Sequence, residues 1–261
     1  MDAIDVLENV LVARGPSGIR TPLHATAASS LAGLSEFASV RRSWWLQHRE
    51  DLVRVLPAAQ ATLERLCSPE EGLVHPFAND HGEIHDVPRV DAGWEPGDPF
   101  MRFQERFKTA LVRASAPSTF AFMVLGAFNE MASNAAEHSK APVTSVASYE
   151  VIDGRWSFSV TDVGCGLLRS LQLNPSYTAL ADEASAVRLA IQDGVSSTGK
   201  PSRGFGFTKV FKVLVDRACS IRFRSAGAAA TWSGTSPTAS QLTITVSPPR
   251  CGFHIQVAGA L

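Results

Sequence analysis

The dipeptide Asp153-Gly154 stands between two runs, residues 143–152 and 155–162, in which apolar residues alternate with polar ones or run on. A two-residue loop of this composition accepts the left-handed backbone that joins twisted antiparallel strands, so it predicts a β-hairpin near the middle of the chain. On either side the period changes. Residues 100–115 (FMRFQERFKTALVRAS) place apolar side chains at helical spacing, and Pro117-Ser118 opens a second helix running to about residue 139. Beyond the hairpin come a helical stretch at 183–193, a Gly/Ser/Thr-rich loop (GVSSTGKPSRGFGF), a helix ending near residue 217, and strand candidates at 219–225, 242–246 and 253–257. Helices followed by an antiparallel run of strands predict an α/β (α+β) two-layer sandwich: a mixed, mostly antiparallel sheet with helices on one face.

The first part of the chain is less regular. Residues 1–66 read as mixed structure with helices across 34–46 and 51–66, and residues 67–99 are dense in Pro, Gly, Asp, Asn and His, the chemistry of turns and connectors. A domain boundary is expected there, leaving 1–99 as an N-terminal region without an assigned role and 100–261 as the principal domain. Within the first region, Arg20-Thr-Pro-Leu23 lacks the histidine that a phosphoacceptor box needs. Cys67, His75, His81 and His85 match no tight zinc spacing, and Trp44-Trp45 is expected to pack in a core or at an interface.

Composition excludes several function classes. The formal net charge of -1 offers no broad attraction to nucleic acid or to an anionic membrane. The start of the chain, MDAIDVLENV, is acidic and lacks the basic region and apolar run of a signal peptide, and no run of about eighteen apolar residues suggests a membrane span. The widely spaced Cys67, Cys165, Cys219 and Cys251 read as reduced thiols. The expectation is a cytoplasmic protein with no nucleic-acid or membrane partner.

Three short stretches carry chemistry. In NEMASNAAEHS (129–139), Glu130, Asn134 and His138 recur every fourth residue and so share one helix face. A carboxylate held rigidly on a helix suits a general base, and an Asn carbonyl one turn on is a hard oxygen donor suited to Mg²⁺. Small neighbours at Ala132, Ser133, Ala135 and Ala136 permit close approach of a ligand. Next, Asp162-Val-Gly164-Cys-Gly166 ends a strand; its glycines free the backbone to turn beside a ligand, and its carboxylate can accept from an exocyclic amine. Last, Gly199-Lys-Pro-Ser-Arg-Gly204-Phe-Gly206-Phe opens a helix, where backbone amides, Lys200 and Arg203 favour an anion. It is neither a Walker P-loop nor a dinucleotide fingerprint.

Taken in order, E-x-x-x-N on a helix, D-x-G-x-G after a strand and G-x-G before a helix, the region from about residue 100 to the C-terminus resembles the GHKL superfamily of ATPases, named for gyrase, heat-shock chaperone, histidine kinase and mismatch-repair protein. The resemblance implies a Bergerat-type site for ATP and Mg²⁺ on a sheet covered on one face by helices. It implies that Asn134 is the Mg²⁺ ligand, Glu130 the general base and Asp162 the adenine-reading carboxylate above a turn formed by Gly164 and Gly166. Gly204 and Gly206 then end a lid over the phosphates, Lys200 or Arg203 contacts them, and the Thr208 hydroxyl faces the nucleotide. Phe207 replaces the usual Leu or Ile. The family's last motif, Gly-Thr before the final strand, has two claimants: Gly234-Thr235 by residue type and Cys251-Gly252 by position.

NAAEHS is further similar to the N-A-x-x-H-[SG] of anti-sigma-factor serine kinases, although His138 equally suits a helix C-terminus, where an imidazole meets unsatisfied carbonyls. The resemblance thus implies a regulatory protein that hydrolyses ATP or passes its γ-phosphoryl group to a protein partner. Two alternatives stand beside it: a nucleotide-gated binding module without turnover, and the catalytic part of a two-component histidine kinase without its own phosphoacceptor. A homodimer is compatible with each.

Overall fold

The computed structural model describes residues 77–78, 80–88, 99–138, 145–192, 195, 219–233, 242–246 and 252–261. The helices expected within residues 1–66 and ahead of residue 217 lie outside these residues. Two short segments open the described fold, β1 (Phe77–Ala78) and β2 (Gly82–Val87), and helices α1 (Pro99–Arg113) and α2 (Ser118–His138) follow. The hairpin comes next as β3 (Ser145–Ile152) and β4 (Arg155–Thr161), then α3 (Gly166–Leu171), a 3₁₀ turn (Pro175–Tyr177) and α4 (Glu183–Ala190). Strands β5 (Ser220–Ser225), β6 (Ala228–Ser233), β7 (Leu242–Val246) and β8 (Phe253–Ala260) complete it.

All eight strands form one sheet in the order β1-β2-β3-β4-β8-β5-β6-β7, and each neighbouring pair is antiparallel. The class is α+β. The hairpin turn has positive φ at both Asp153 (49°) and Gly154 (70°), the mirror-image turn that matches the right-handed twist of β3 and β4. The final strand of the chain is inserted in the middle of the sheet between β4 and β5. That insertion brings residue 253 beside residue 162.

Alternation along each strand decides what the two sheet faces carry. On one face Tyr149, Phe158, Val257, Ile221 and Trp232 lie in successive cross-strand register. The helices pack there. Phe107 stacks on Tyr149 with ring centroids 4.7 Å apart, Phe128 meets Phe158 edge-on at 5.5 Å, and Phe120 meets Trp156 at 5.7 Å. Val187 of α4 joins the same apolar cluster. Rings in these offset and perpendicular arrangements add attraction beyond the area they remove from water. At the sheet's β2 end, Glu83 shares this face because Arg106 grips it through two bonds of 2.6 and 2.7 Å and the Tyr149 hydroxyl donates to it at 2.9 Å.

Three features depart from the sequence expectation. Residues 77–78 and 82–87, read as connector, supply β1 and β2; β1 pairs with β2 and β2 with β3, so the sheet begins before residue 100. Strand β6, built from AAATWS, and the short helix α3 were not expected. Among the described residues no helix is long and apolar enough to cross a membrane.

Candidate functional site

Helix α2 buries Phe120, Val124, Ala127, Phe128, Met131 and Ala135 at spacings of three and four. Glu130, Asn134 and His138 border that stripe and are half-buried, so they lie neither in the core nor on a fully solvated face. Ser133 donates to Glu137 at 3.1 Å within the same turns. Asn129, next to Glu130, has a buried side-chain oxygen with no hydrogen-bond partner, a polar atom that sequence reading did not single out.

Strand β4 delivers Asp162 to the sheet's end. Its backbone pairs with Phe253 in both directions, N–H to O at 2.8 Å and O from N–H at 3.3 Å, which extends the β4–β8 ladder by one residue. Its carboxylate then accepts the Gly164 N–H at 2.8 Å, an Asx turn that reverses the chain immediately after the strand. Burial pushes the Asp162 carboxyl up to about 7, against the opposing pull of the Gly164 and Phe253 N–H groups. A buried carboxyl held by the Gly164 N–H, with no charged group among the described residues acting on it, keeps capacity to accept from a ligand.

The glycines mark where this turn needs room. Gly166 has φ of +74°, and a Cβ there would lie 3.1 Å from Ser225 Oγ and 3.2 Å from a Glu183 carboxylate oxygen. Gly252 has φ of +84°, and a Cβ there would overlap the Asp162 carbonyl oxygen at 2.0 Å. Of the two claimants for the glycine before the final strand, Gly252 is therefore the one seated against Asp162; Gly234-Thr235 lies outside the described residues. The stretch that should carry Lys200, Arg203, Gly204, Gly206 and Thr208 also lies outside them.

The helix stripe and the strand-end turn meet. The Cys165 thiol donates to the backbone carbonyl of His138 at 3.6 Å, so the C-terminal end of α2 rests against the Asp162–Gly166 turn. Along the axis of α2, Asn134 lies about 6 Å and Glu130 about 12 Å from that contact, the rise of four and eight residues. Asn134 and Glu130 thus lie one and two turns before that contact on the same helix, and among the described residues no group of three or more His, Cys, Asp or Glu is placed to hold a metal ion. His138 itself is the last residue of α2, and its carbonyl is the atom that accepts from the thiol.

Glu183 and Ser225 also belong to this site, and sequence reading did not single them out. Glu183 accepts from the N–H groups of Leu167 and Leu168 at 3.0 and 3.2 Å and from the Ser225 hydroxyl. In sequence Glu183 carries only the signal of a helix start, since Asp182 caps α4 by accepting from Ser185 N–H at 2.8 Å. Elsewhere, His85 packs against the rings of Phe100 and Phe103 and its Nδ1 lies 2.8 Å from the Asp86 carbonyl. No protein-family model matches this chain, and no curated protein matches it.

Proposed function

We propose that this protein binds Mg-ATP at the end of its sheet, on a Bergerat-type fold of the GHKL class, and uses it to run a regulatory switch in the cytoplasm. Either the γ-phosphoryl group passes to water, or it passes to a hydroxyl of a protein partner. The observation that carries the reading is the contact of Cys165 with the His138 carbonyl. It sets the E-x-x-x-N helix against the D-x-G-x-G turn, two motifs separated by a whole hairpin.

Each residue has a role within this reading. Asp162, fixed by Gly164 and Phe253, accepts from the exocyclic amine of adenine; in so dry a site a base without that amine leaves the carboxyl unpaired, which favours adenine over oxo-purines. Gly166 and Gly252, both with left-handed backbone, place no side chain of their own beside the turn that Asp162 opens. Asn134 offers its carbonyl oxygen to Mg²⁺, which when bound neutralises phosphate charge. Glu130 orients the attacking oxygen and takes its proton as the new P–O bond forms and the bond from the γ-phosphorus to the bridging oxygen breaks, leaving ADP. Lys200 or Arg203, with Gly204, Gly206 and Thr208, supply the phosphate contacts of the proposal.

Calorimetry with Mg-ATP tests this directly. Asn134→Ala and Asp162→Ala are each expected to remove measurable binding, while Glu130→Ala keeps nucleotide affinity and loses turnover. Unchanged affinity in the first two variants removes the site. The product is read by following labelled γ-phosphate to free phosphate or to a partner's serine.

A further inference from the structure

The Asp162–Gly166 turn reverses the chain beside the proposed site, and it is held by groups to which the proposed function gives no role. Gly166 opens α3, whose next two amides, Leu167 N–H and Leu168 N–H, both donate to one oxygen of Glu183, at 3.0 and 3.2 Å. Leu167 N–H also reaches Ser225 Oγ at 2.7 Å, and the Ser225 hydroxyl donates in turn to that same Glu183 oxygen. Ser225 is fully buried and ends β5 opposite Phe253, the residue whose backbone pairs with Asp162 on both sides. A closed circuit results: Asp162 to Phe253, Phe253 to Ser225, Ser225 and Glu183 to Leu167, and Leu167 back along the chain through Gly166 to Asp162.

We infer that Glu183 is a positioning residue for base recognition, acting with Ser225 to lock the Gly166 turn and thereby fix where the Asp162 carboxyl points. The inference rests on the proposed adenine site. One oxygen of Glu183 serves a hydroxyl and two amides at once, so the turn depends on an acceptor at this position. The position leaves no slack: any side chain at residue 166 would press on both Ser225 and Glu183. Glu183 reaches the turn from α4, which Asp182 caps separately, so the carboxylate is anchored on a helix rather than on a loop.

The test is the affinity for ADP and for IDP, measured by calorimetry on the full chain with wild type, Glu183→Ala, Glu183→Gln and Ser225→Ala. Loosening the turn should weaken ADP by about tenfold or more in Glu183→Ala, within the range that misplacing a recognition group produces. IDP should change by less than about threefold, because its six-oxo base makes no bond to Asp162 for the variant to lose, so discrimination between the bases collapses. Glu183→Gln keeps an acceptor oxygen and should restore most of the ADP affinity. ADP affinity in Glu183→Ala within about threefold of wild type, or equal losses for ADP and IDP, overturns the inference. If Glu183→Ala does not fold, Ser225→Ala decides, with a selective loss for ADP supporting the inference and unaltered discrimination overturning it. Wild type that binds neither nucleotide removes the proposed function and this inference together, an outcome distinct from the others because no variant then has binding to lose.

Discussion

Both faces of the sheet bury side chains, and they are built by different chemistry. Under the helices lie Tyr149, Trp156, Phe158, Ile221, Phe223, Ile255 and Val257, all at most 5% exposed. On the opposite face the registers carry Ile84, Ser148, Ser159, Gln256 and Arg222 in one row, and Asp86, Val146, Thr161, His254 and Arg224 in the next. Ser159, His254 and Arg224 are no more than 2% exposed. The first face needs only shape and apolar area. The second needs every polar group placed, since a buried polar atom is tolerated only with a partner. Ser148 and Ser159 meet at 2.7 Å and Thr161 meets His254 at 2.6 Å. The proposed site sits where β4 ends: Val160 belongs to the apolar face, Thr161 to the polar one, and Asp162, paired with Phe253, follows as the last residue of the ladder.

Cutting into the aromatic face should have the largest effect. Phe128 touches Phe100, Phe103, Phe107 and Phe158, so Phe128→Ala opens a cavity that several rigid rings cannot close. A loss of about 3–5 kcal/mol is expected from chemical denaturation. A loss below about 1 kcal/mol would mean that the helices are not held by these rings. Gly252→Ala should come next, with a loss of about 2–3 kcal/mol from the left-handed backbone and the overlap with Asp162 together. Because that strain falls on the Asp162 carbonyl, nucleotide affinity should fall with it. A variant that loses stability and keeps full affinity would separate Gly252 from the site.

The aromatic face was legible in the sequence and the polar one was not, for physical reasons. Apolar residues at period two or at helical spacing declare what they pack against, and α1, α2, β3, β4 and β8 were expected within a few residues of where they lie. Strand β2 was hidden because GEIHDV puts Glu83 on the core face, where it survives only through Arg106 and Tyr149. Strand β6 was hidden because three alanines carry little strand preference, and they sit there because neighbours fill the space above them. The site divides the same way. Asp162, Gly164 and Gly166 could be read from their spacing, while Glu183 and Ser225 converge only through the sheet order, which brings β5 beside β8.

Asp162 gives a smaller effect with a distinctive pH dependence. Its carboxyl titrates near 3.8 when free and at about 7 in the fold, so between those values the native state holds a proton that the unfolded chain has lost. A raised carboxyl pKa makes this group's contribution greatest in acid, and that contribution declines as pH rises towards 7. Asp162→Asn removes the titration while keeping size and the acceptor for Gly164. Its stability relative to wild type should therefore improve steadily as pH rises from about 4 to about 8, read as the difference between two denaturation series. A difference that does not change with pH would place Asp162 in contact with solvent. The same variant should bind adenine nucleotides poorly, because a side-chain amide can present its N–H to the adenine amine.

The smallest effect sharpens the contrast between the faces. Thr161→Val keeps the shape of the side chain and removes the hydroxyl that meets His254 Nδ1 at 2.6 Å, in a place where both residues are buried. On the apolar face an exchange of equal volume should be nearly silent. Here the imidazole nitrogen is left without this partner, and a loss of about 1–2 kcal/mol is expected. Thr161 is also the residue before Asp162, and His254 the residue after Phe253, so the pair clamps the strand ends from the side opposite the helices. If the polar face serves the site as well as the fold, Thr161→Val should weaken nucleotide binding beyond what the lost stability explains. The comparison is made at low temperature, where the variant is fully folded. If affinity stays unchanged under those conditions, the polar face acts on stability alone and Asp162 is held by Gly164, Phe253 and Gly252 without it.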